Sequence, residues 1–401
     1  ERRAGEARVS LGHPSAGSEG GAGVDYELHN EMVRKLWRDF SLNRHERVPV
    51  VWSMNDRMVV LHPGRNRWGF TYAEIYSNPE AMLRAQLEFE RWRRLNVLAD
   101  WEMGLPEEWS VSVNFHNVYE SAWLGAPLYF APNSVPDVKP FLTSESRVAE
   151  FVRRGPPDPF SGFMARVREF YEHFLERKES GFTYMGRPIG HVGAPIGTDG
   201  PFTVAYNVTG GLILRLLFRN RRLAEDFLWL VTEAIIERMK AWHRLLKVPF
   251  PREGFGFADD AIQNLSPQMY REVVLPLHRE IVRTFCVGRP SMHLCGSVMH
   301  LLGVLKEELN IASIDTGFPI DLGKAREVLG EDVLIRGGVR VTTLELGPPE
   351  SIEREVRAVL GSGVTRGKRF IFGEANNVTP ATPEGHLNYT YRLVVELGRL
   401  D

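Results

Sequence analysis

Short apolar runs alternate with longer amphipathic segments along the chain from Asp25 onward. The short runs are rich in β-branched and aromatic residues, as buried strands are, whereas the longer segments carry apolar residues at helical spacing with charges between them. The pattern predicts strands at 47–53, 110–115, 189–193, 254–258, 291–295, 312–315, 333–335 and 369–372. It predicts helices at 79–95, 160–179, 223–246, 267–285, 298–309 and 349–360.

The order of these elements predicts a fold class. Strands that alternate with helices form parallel sheets, and eight strands suit closure into a (β/α)8 TIM barrel, an α/β fold. An open doubly wound sheet is the competing arrangement, but no Gly-x-Gly-x-x-Gly turn follows an early strand. We therefore expect one barrel domain over residues 25–401. Residues 1–24, mostly Gly, Ala, Ser, Glu and Arg, are expected to form a disordered tail.

Composition and charge narrow the classes of partner. The formal net charge of −2 provides neither a basic field for nucleic acid nor a polybasic face for a membrane surface. No run reaches the ~18 apolar residues that a membrane helix requires. The two cysteines, Cys286 and Cys295, allow no disulfide framework, so a reducing, cytoplasmic setting is expected. A homodimer is the commonest assembly of soluble proteins that self-associate.

Polar residues gather where the later predicted strands end. In a barrel of this kind the carboxyl ends of the strands meet at one mouth, where the chemistry takes place. The residues are Asp259, Asp260, Gln263, His293, Cys295, Asp315, Arg336, Glu374 and Asn376. Each of them alone is consistent with a helix cap or a turn. Their recurrence at successive strand ends favours an active site.

His293 and Cys295 are the most informative of these residues. They are two positions apart on one predicted strand, so their side chains point to the same face, and Gly296 follows directly. Imidazole nitrogen and thiolate sulfur are ligand types that suit Zn²⁺. The alternative interpretation is a small buried cysteine beside a hydrogen-bonded core histidine.

Two further sets of polar residues are assigned to catalysis and to substrate binding. Asn114 and His116 alternate on a predicted strand, which would aim both into the barrel, and Tyr206 with Asn207 follows a glycine-rich turn. Small-molecule pockets use a few such groups on an apolar wall, although each could equally be a satisfied buried polar group. The predicted substrate-binding residues are Asn114, His116, Tyr206, Asn207, Asp315 and Arg336, and the predicted catalytic residues are Asp259, Asp260 and Gln263.

Several segments of the chain resemble one known family. They are Gly200-Pro201-Phe202-Thr203, Ala258-Asp259-Asp260, Leu265-Ser266-Pro267, His293-Leu294-Cys295-Gly296 and Asn377-Val378-Thr379-Pro380-Ala381-Thr382-Pro383-Glu384. Through them the chain, from about Arg47 onward, resembles the uroporphyrinogen decarboxylase superfamily, which includes zinc methyltransferases that act with corrinoid proteins. The fold that this resemblance implies is the (β/α)8 barrel, in agreement with the element order.

The resemblance implies the methyltransferase branch more than the decarboxylase itself. The decarboxylase needs no metal and holds its anionic porphyrinogen with arginines after the first strand, where this chain has Met54-Asn55-Asp56-Arg57. The methylcobalamin:coenzyme M type of methyltransferase shares the His-x-Cys segment, whose Zn²⁺ activates a thiol or a methyl donor. The pattern of that branch continues with a second cysteine, and Asn376 stands at its position here.

A metal site and two partners follow from this resemblance. His293 and Cys295 would be metal ligands, joined by Asn376 and by a carboxylate from Glu374 or Asp259. Cobalamin would arrive on a separate corrinoid protein, because the chain lacks the Asp-x-His-x-x-Gly segment that ligates cobalt. The other partner would be a small thiol, methoxy or methylamine-type methyl donor or acceptor. The missing cysteine leaves a second hypothesis open, a metal-free decarboxylase-like barrel that uses acid–base chemistry or only binds.

Overall fold

The computed structural model describes residues 23–400, so residues 1–22 of the predicted tail lie outside the described part of the chain. Within it the strands are β1 (Trp109–Ser112), β2 (Leu128–Tyr129), β3 (Asp137–Val138), β4 (Thr183–Tyr184), β5 (Arg187–Gly193), β6 (Gly256–Ala258), β7 (Ser291–Leu294), β8 (Ser313–Thr316), β9 (Leu334–Arg340) and β10 (Phe370–Ala375).

The α-helices are α1 (Tyr26–Ser41), α2 (Arg57–Val60), α3 (Tyr72–Ile75), α4 (Pro79–Asn96), α5 (Tyr119–Leu124), α6 (Glu145–Arg154), α7 (Phe163–Glu179), α8 (Pro201–Thr209), α9 (Leu212–Arg219), α10 (Arg221–Leu245), α11 (Pro267–Met269), α12 (Leu275–Phe285), α13 (Leu302–Val304), α14 (Leu322–Leu329), α15 (Val341–Leu346), α16 (Pro349–Gly361) and α17 (Glu384–Leu397). Short π-helical segments, Tyr270–Val274 and Leu305–Leu309, continue α11 and α13. The predicted helices at 267–285 and 298–309 are therefore each built from several pieces.

Parallel strands form the centre of the fold. Strands β6 to β10 make one sheet in the order β10-β9-β8-β7-β6, and β1 pairs in parallel with β5. The segment 49–51 extends the larger sheet beyond β10, because Val51 N donates to Phe372 O at 2.9 Å and Phe372 N donates to Pro49 O at 2.8 Å. Seven of the eight predicted strands therefore lie close to their predicted positions, and they have the parallel pairing that the predicted (β/α)8 barrel requires.

The hydrogen-bond ladder is interrupted beside the segment 49–51. The predicted strand 47–53 forms no regular strand, because on its free side the Asp100 carboxylate accepts the Val50 amide at 2.7 Å. On the neighbouring edge of β1, the Gln86 amide group bonds both the N–H and the C=O of Ser112. Side chains thus satisfy backbone groups that a neighbouring strand would otherwise pair.

Helix caps and helix packing follow the sequence pattern. Asn78 accepts from the amides of Glu80 and Ala81 at the start of α4, and Ser266 accepts from Met269 N at the start of α11, as their position before proline predicts. The apolar faces of the helices and the strands share one continuous buried cluster. Among residues 23–400 no single helix has the length and apolarity to cross a membrane, although α8 and α9, bent by 102°, reach that length together.

Candidate metal centre

His293 and Cys295 lie side by side at the carboxyl end of β7. Alternation along the strand points the half-buried His293 into the barrel, and Cys295 follows the last strand residue before Gly296, whose φ of +79° turns the chain away. The distance from His293 Nε2 to Cys295 Sγ is 3.1 Å. The Cys295 amide donates to Asp260 Oδ1 at 2.7 Å. One ligand atom from each of Asp260, His293 and Cys295 lies within 4.8 Å of the others.

Asn376 reaches the same sulfur from the far side of the sheet. Cys295 Sγ lies 3.2 Å from Asn376 Oδ1. Asn376 follows the end of β10 with a φ of +111°, a backbone conformation that asparagine tolerates better than most residues. The residue at the position of the missing family cysteine therefore offers an amide oxygen to the cluster.

A row of paired residues on neighbouring strands orients the imidazole. The parallel register places His293 beside Asp315, and Asp315 beside Arg336. His293 Nδ1 donates to Asp315 Oδ2 at 3.0 Å, and Arg336 Nη1 lies 3.8 Å from the same oxygen. Burial by itself lowers the pKa of His293, but the hydrogen bonds to Asp315 and to the Cys295 sulfur outweigh it and raise that pKa to about 11. A metal ion bound to Nε2 would take the place of the proton that Nε2 otherwise carries.

The residues present fit a zinc ion. Zinc takes nitrogen and sulfur ligands at about 2.0–2.3 Å in a tetrahedron, which requires neighbouring ligand atoms a few ångströms apart. The separations of 3.1 Å (His293 to Cys295) and 3.2 Å (Cys295 to Asn376) meet that requirement. The Asp315 carboxylate behind the imidazole is the outer partner that zinc-binding histidines use. The donor set is thus one nitrogen, one sulfur and oxygens from Asp260 and Asn376.

The structure corrects the placement of Asp259. This carboxylate is fully buried and accepts from the amides of Phe202 and Thr203, at 3.1 and 2.7 Å, at the start of α8. It also accepts from the Thr203 hydroxyl at 2.7 Å and faces His278 Nε2 at 2.8 Å. With every lone-pair direction occupied and no exposed surface, Asp259 caps a helix and is open to neither metal nor substrate.

The structure also corrects the placement of Glu374. Both of its oxygens accept from the Ser53 amide, at 3.1 and 3.0 Å, and among the described residues the group of convergent ligand atoms does not include it. Burial raises the pKa of Glu374 to about 7, although the nearby Arg336 and the Ser53 amide oppose the shift. Glu374 therefore holds the segment after Pro49 against the end of β10.

Protein stability should fall as pH rises because of Glu374. Its pKa is about 7 in the folded protein against an ordinary 4.5, so the unfolded chain loses this proton first as pH rises between those values. The contribution of Glu374 to the free energy of unfolding is complete below pH 4.5 and is lost as pH rises through 7. The total change is about 3 kcal/mol. Urea unfolding at pH 5 and pH 8 should show a smaller loss for Glu374→Gln than for wild type. Equal losses would contradict this assignment.

Asn114 and His116 do not alternate on a strand. Strand β1 ends at Ser112, and His116 has a φ of +51° with its amide held by Asn114 Oδ1 at 2.8 Å. His116 Nε2 lies 3.1 Å from Asp56 Oδ1, and Nδ1 lies 3.0 Å from the hydroxyl of Tyr76. Both ring nitrogens are thus engaged in a nearly buried network, and the roles of Asn114 and His116 in substrate binding stay predictions.

The remaining predicted residues divide between the mouth and the helices. Gln263 Oε1 accepts from the Ser297 amide at 3.2 Å and packs over Gly296, so it supports the turn after Cys295. Tyr206 and Asn207 lie on α8. Their roles in substrate binding stay predictions.

Sequence reasoning missed the contribution of Ser53. The Ser53 hydroxyl accepts from Arg336 Nη2 at 2.7 Å, and its amide holds Glu374. It links the segment 49–51 to β9 and β10 at the mouth. A serine directly after an apolar run carries no distinctive signal, and only the partners across the barrel reveal its position.

Comparison with known proteins agrees with this fold. The family model described as uroporphyrinogen decarboxylase (URO-D) matches residues 36–397. A uroporphyrinogen decarboxylase of Gloeobacter violaceus is 24% identical over 379 residues, which cover 91% of this chain and 98% of the relative. A methylated-thiol–coenzyme M methyltransferase of Methanosarcina mazei is 27% identical over 201 residues, 49% of this chain and 51% of the relative.

A solved structure shows the same fold. A methyltransferase from Methanosarcina mazei superposes with a TM-score of 0.57 at 17% identity, covering 87% of this chain and 94% of that protein. The resemblance read from the sequence motifs, and the (β/α)8 barrel that it implies, are thereby confirmed at the level of the superfamily. A methyltransferase is among the relatives that this chain resembles. Since the family model spans most of the sequence, the chain belongs to the uroporphyrinogen decarboxylase family.

Proposed function

We propose that the protein is a zinc-dependent methyltransferase that moves a methyl group between a small substrate and a corrinoid protein. The observation that carries the proposal is the convergence of Asp260, His293 and Cys295, whose ligand atoms lie within 4.8 Å of one another. A buried structural cysteine and a core histidine would need no third ligand-type side chain. The cluster also lies at the carboxyl ends of barrel strands, where this fold places its chemistry.

Each residue of the cluster has a task in this proposal. When bound, zinc would supply a Lewis acid that keeps a sulfur or oxygen nucleophile or leaving group deprotonated at neutral pH. With a metal bound, Asp315 would hold the His293 proton on Nδ1, and the Nε2 lone pair would be the one given to the metal. Asp260 holds the Cys295 amide with one oxygen and keeps the other for the metal. Arg336 balances the charge of Asp315 from the next strand.

The relatives support the choice of partners. The Methanosarcina mazei relative is named for methylated thiols and coenzyme M, which places sulfur methyl chemistry on a related sequence. The alignment covers about half of each chain, so the substrate of this protein is part of the proposal. A corrinoid protein would bring cobalamin to the barrel mouth, because this chain lacks the cobalt-ligating segment.

Decarboxylation of a uroporphyrinogen is the second candidate, favoured by the relative that aligns along nearly its whole length. The engagement of Arg336 at the mouth is evidence against decarboxylation. Arg336 Nη2 donates to the Ser53 hydroxyl at 2.7 Å, and Arg336 Nη1 lies 3.8 Å from Asp315 Oδ2. A substrate with many carboxylates needs cationic groups that are free to pair with it. Uroporphyrinogen turnover by the metal-stripped protein would establish this second function and overturn the first.

Removing the Asp260 carboxylate should weaken zinc binding. We expect Asp260→Ala to lower the affinity for zinc by about 10-fold to 100-fold, as loss of a supporting carboxylate does in other zinc sites. Glu374→Gln is the matched control, and it should keep wild-type affinity because Glu374 binds Ser53. Competition against a chelating dye measures both variants. A larger loss in Glu374→Gln than in Asp260→Ala would show that the wrong carboxylate has been assigned.

A further inference from the structure

A cavity of about 370 Å³ lies inside the barrel beside His293. Strands β6 to β10 border it, with His293, Asp315 and Arg336 at one end. Barrels of this fold usually fill their interior with layers of bulky branched side chains. The volume is within the range of small-molecule pockets, about 300–1,000 Å³. The interior of this barrel is therefore shaped to hold a ligand.

Small residues create the cavity. The parallel register aligns Gly256 with Ser291, Ser291 with Ser313, and Ser313 with Leu334. Three of these four neighbouring interior positions carry a hydrogen or a hydroxymethyl group where a barrel usually has valine, isoleucine or leucine. The next row toward the mouth contains His293, aligned with Asp315. The open space thus begins directly beneath the candidate metal ligands.

The lining separates charge from apolar surface. The ionisable groups that line the cavity are His293, Asp315 and Arg336, all in the row at the mouth. Deeper in the barrel the polar side chains of the lining are two serines, and the Ser313 hydroxyl donates to Ser291 Oγ at 2.7 Å. Ser291 therefore keeps its own proton to donate. A charged group at this depth would find no counter-ion among the side chains that line the cavity.

We infer that the substrate is a compact uncharged molecule with an apolar body and one hydrogen-bonding group. The body occupies the cavity between Leu334 and Ile371, the polar group bonds the Ser291–Ser313 pair, and the other end reaches His293 and Cys295. A small methoxy arene has this form. The inference rests on the proposed function only in assigning the methyl group to the end beside Cys295. Binding itself requires neither zinc nor a corrinoid protein.

Calorimetry on the full chain with para-methoxyphenol, para-methoxybenzoate and methoxybenzene tests the inference. The uncharged para-methoxyphenol should bind, and para-methoxybenzoate should bind at least about 10-fold more weakly, because its carboxylate finds no counter-ion beside the two serines. Ser313→Leu should abolish the binding of para-methoxyphenol by filling the cavity. Ser146→Leu, the same change at an exposed position on α6, should bind like wild type.

A second variant keeps the test independent of any folding defect in Ser313→Leu. The double variant Ser291→Ala/Ser313→Ala removes both hydroxyls without adding bulk. It should weaken the binding of para-methoxyphenol by about threefold to tenfold, the contribution of one neutral hydrogen bond, and leave the binding of methoxybenzene unchanged. Equal binding of the carboxylate and the phenol, or wild-type binding by both serine variants, would overturn the inference. Zinc content measured on the same samples reports separately on the proposed function.

Discussion

Cys295→Ser should abolish zinc binding and methyl transfer while the protein stays folded. Serine oxygen is a far poorer zinc ligand than thiolate, so we expect the affinity for zinc to fall by about 100-fold or more. The free energy of unfolding should change by less than about 1 kcal/mol, because Cys295 lies at an open strand end and its sulfur supports no core packing. Metal analysis, methyl exchange with a corrinoid protein and urea unfolding measure the three effects.

Cys286→Ser is the matched control for this variant. Cys286 ends α12 and forms a bridge with Arg252, which precedes β6, so it lies at the pole of the barrel away from His293. We expect this variant to keep its zinc and its activity. Loss of zinc in both cysteine variants, or full activity in Cys295→Ser, would contradict the assignment of Cys295 as a ligand.

The Asp259→Ala variant should unfold more easily than wild type, instead of remaining stably folded without activity. The substitution removes the acceptor for two amides of α8, for the Thr203 hydroxyl and for the buried His278. Breaking a buried pair and leaving its donors unsatisfied costs about 3–5 kcal/mol. Urea unfolding should therefore show a large loss of stability for Asp259→Ala.

Asp260→Ala separates this structural role from the chemistry. It should lose zinc affinity with a much smaller loss of stability, because Asp260 contacts the cluster through the Cys295 amide and does not cap a helix. If Asp259→Ala were as stable as wild type and inactive, Asp259 would be a catalytic residue after all, and the acid–base interpretation would replace the metal interpretation.

The elements of the fold were largely predictable because their signals are local. The run at 291–294 is apolar on its buried face, and Asn78 before Pro79 marks the start of α4 in any context. The interruption beside Val50 was not predictable, since the Asp100 carboxylate that takes its amide lies far along the chain. Such a contact depends on the assembled barrel and leaves no pattern around residue 50.

The sequence could not show which of the neighbouring carboxylates joins the metal-ligand cluster, for a different reason. Asp259 and Asp260 are adjacent and chemically identical, but the chain leaves β6 and enters a short 3-10 helix at this point, so their side chains diverge. Glu374 and Asn376 are two apart, which on a continuous strand would place them on one face. Strand β10 ends at Ala375, and the positive φ of Asn376 sends its amide to Cys295 while Glu374 stays with Ser53. Backbone direction at strand ends decides both cases.

The local structure of zinc in the purified protein tests the central claim most directly. X-ray absorption at the zinc edge reports the number and type of ligand atoms without knowledge of the substrate. We predict about one zinc per chain, with one sulfur at about 2.3 Å and the remaining nitrogen and oxygen ligands at about 2.0–2.2 Å. Protein that binds no zinc, or zinc without a sulfur ligand, would contradict the site built by His293, Cys295 and Asp260.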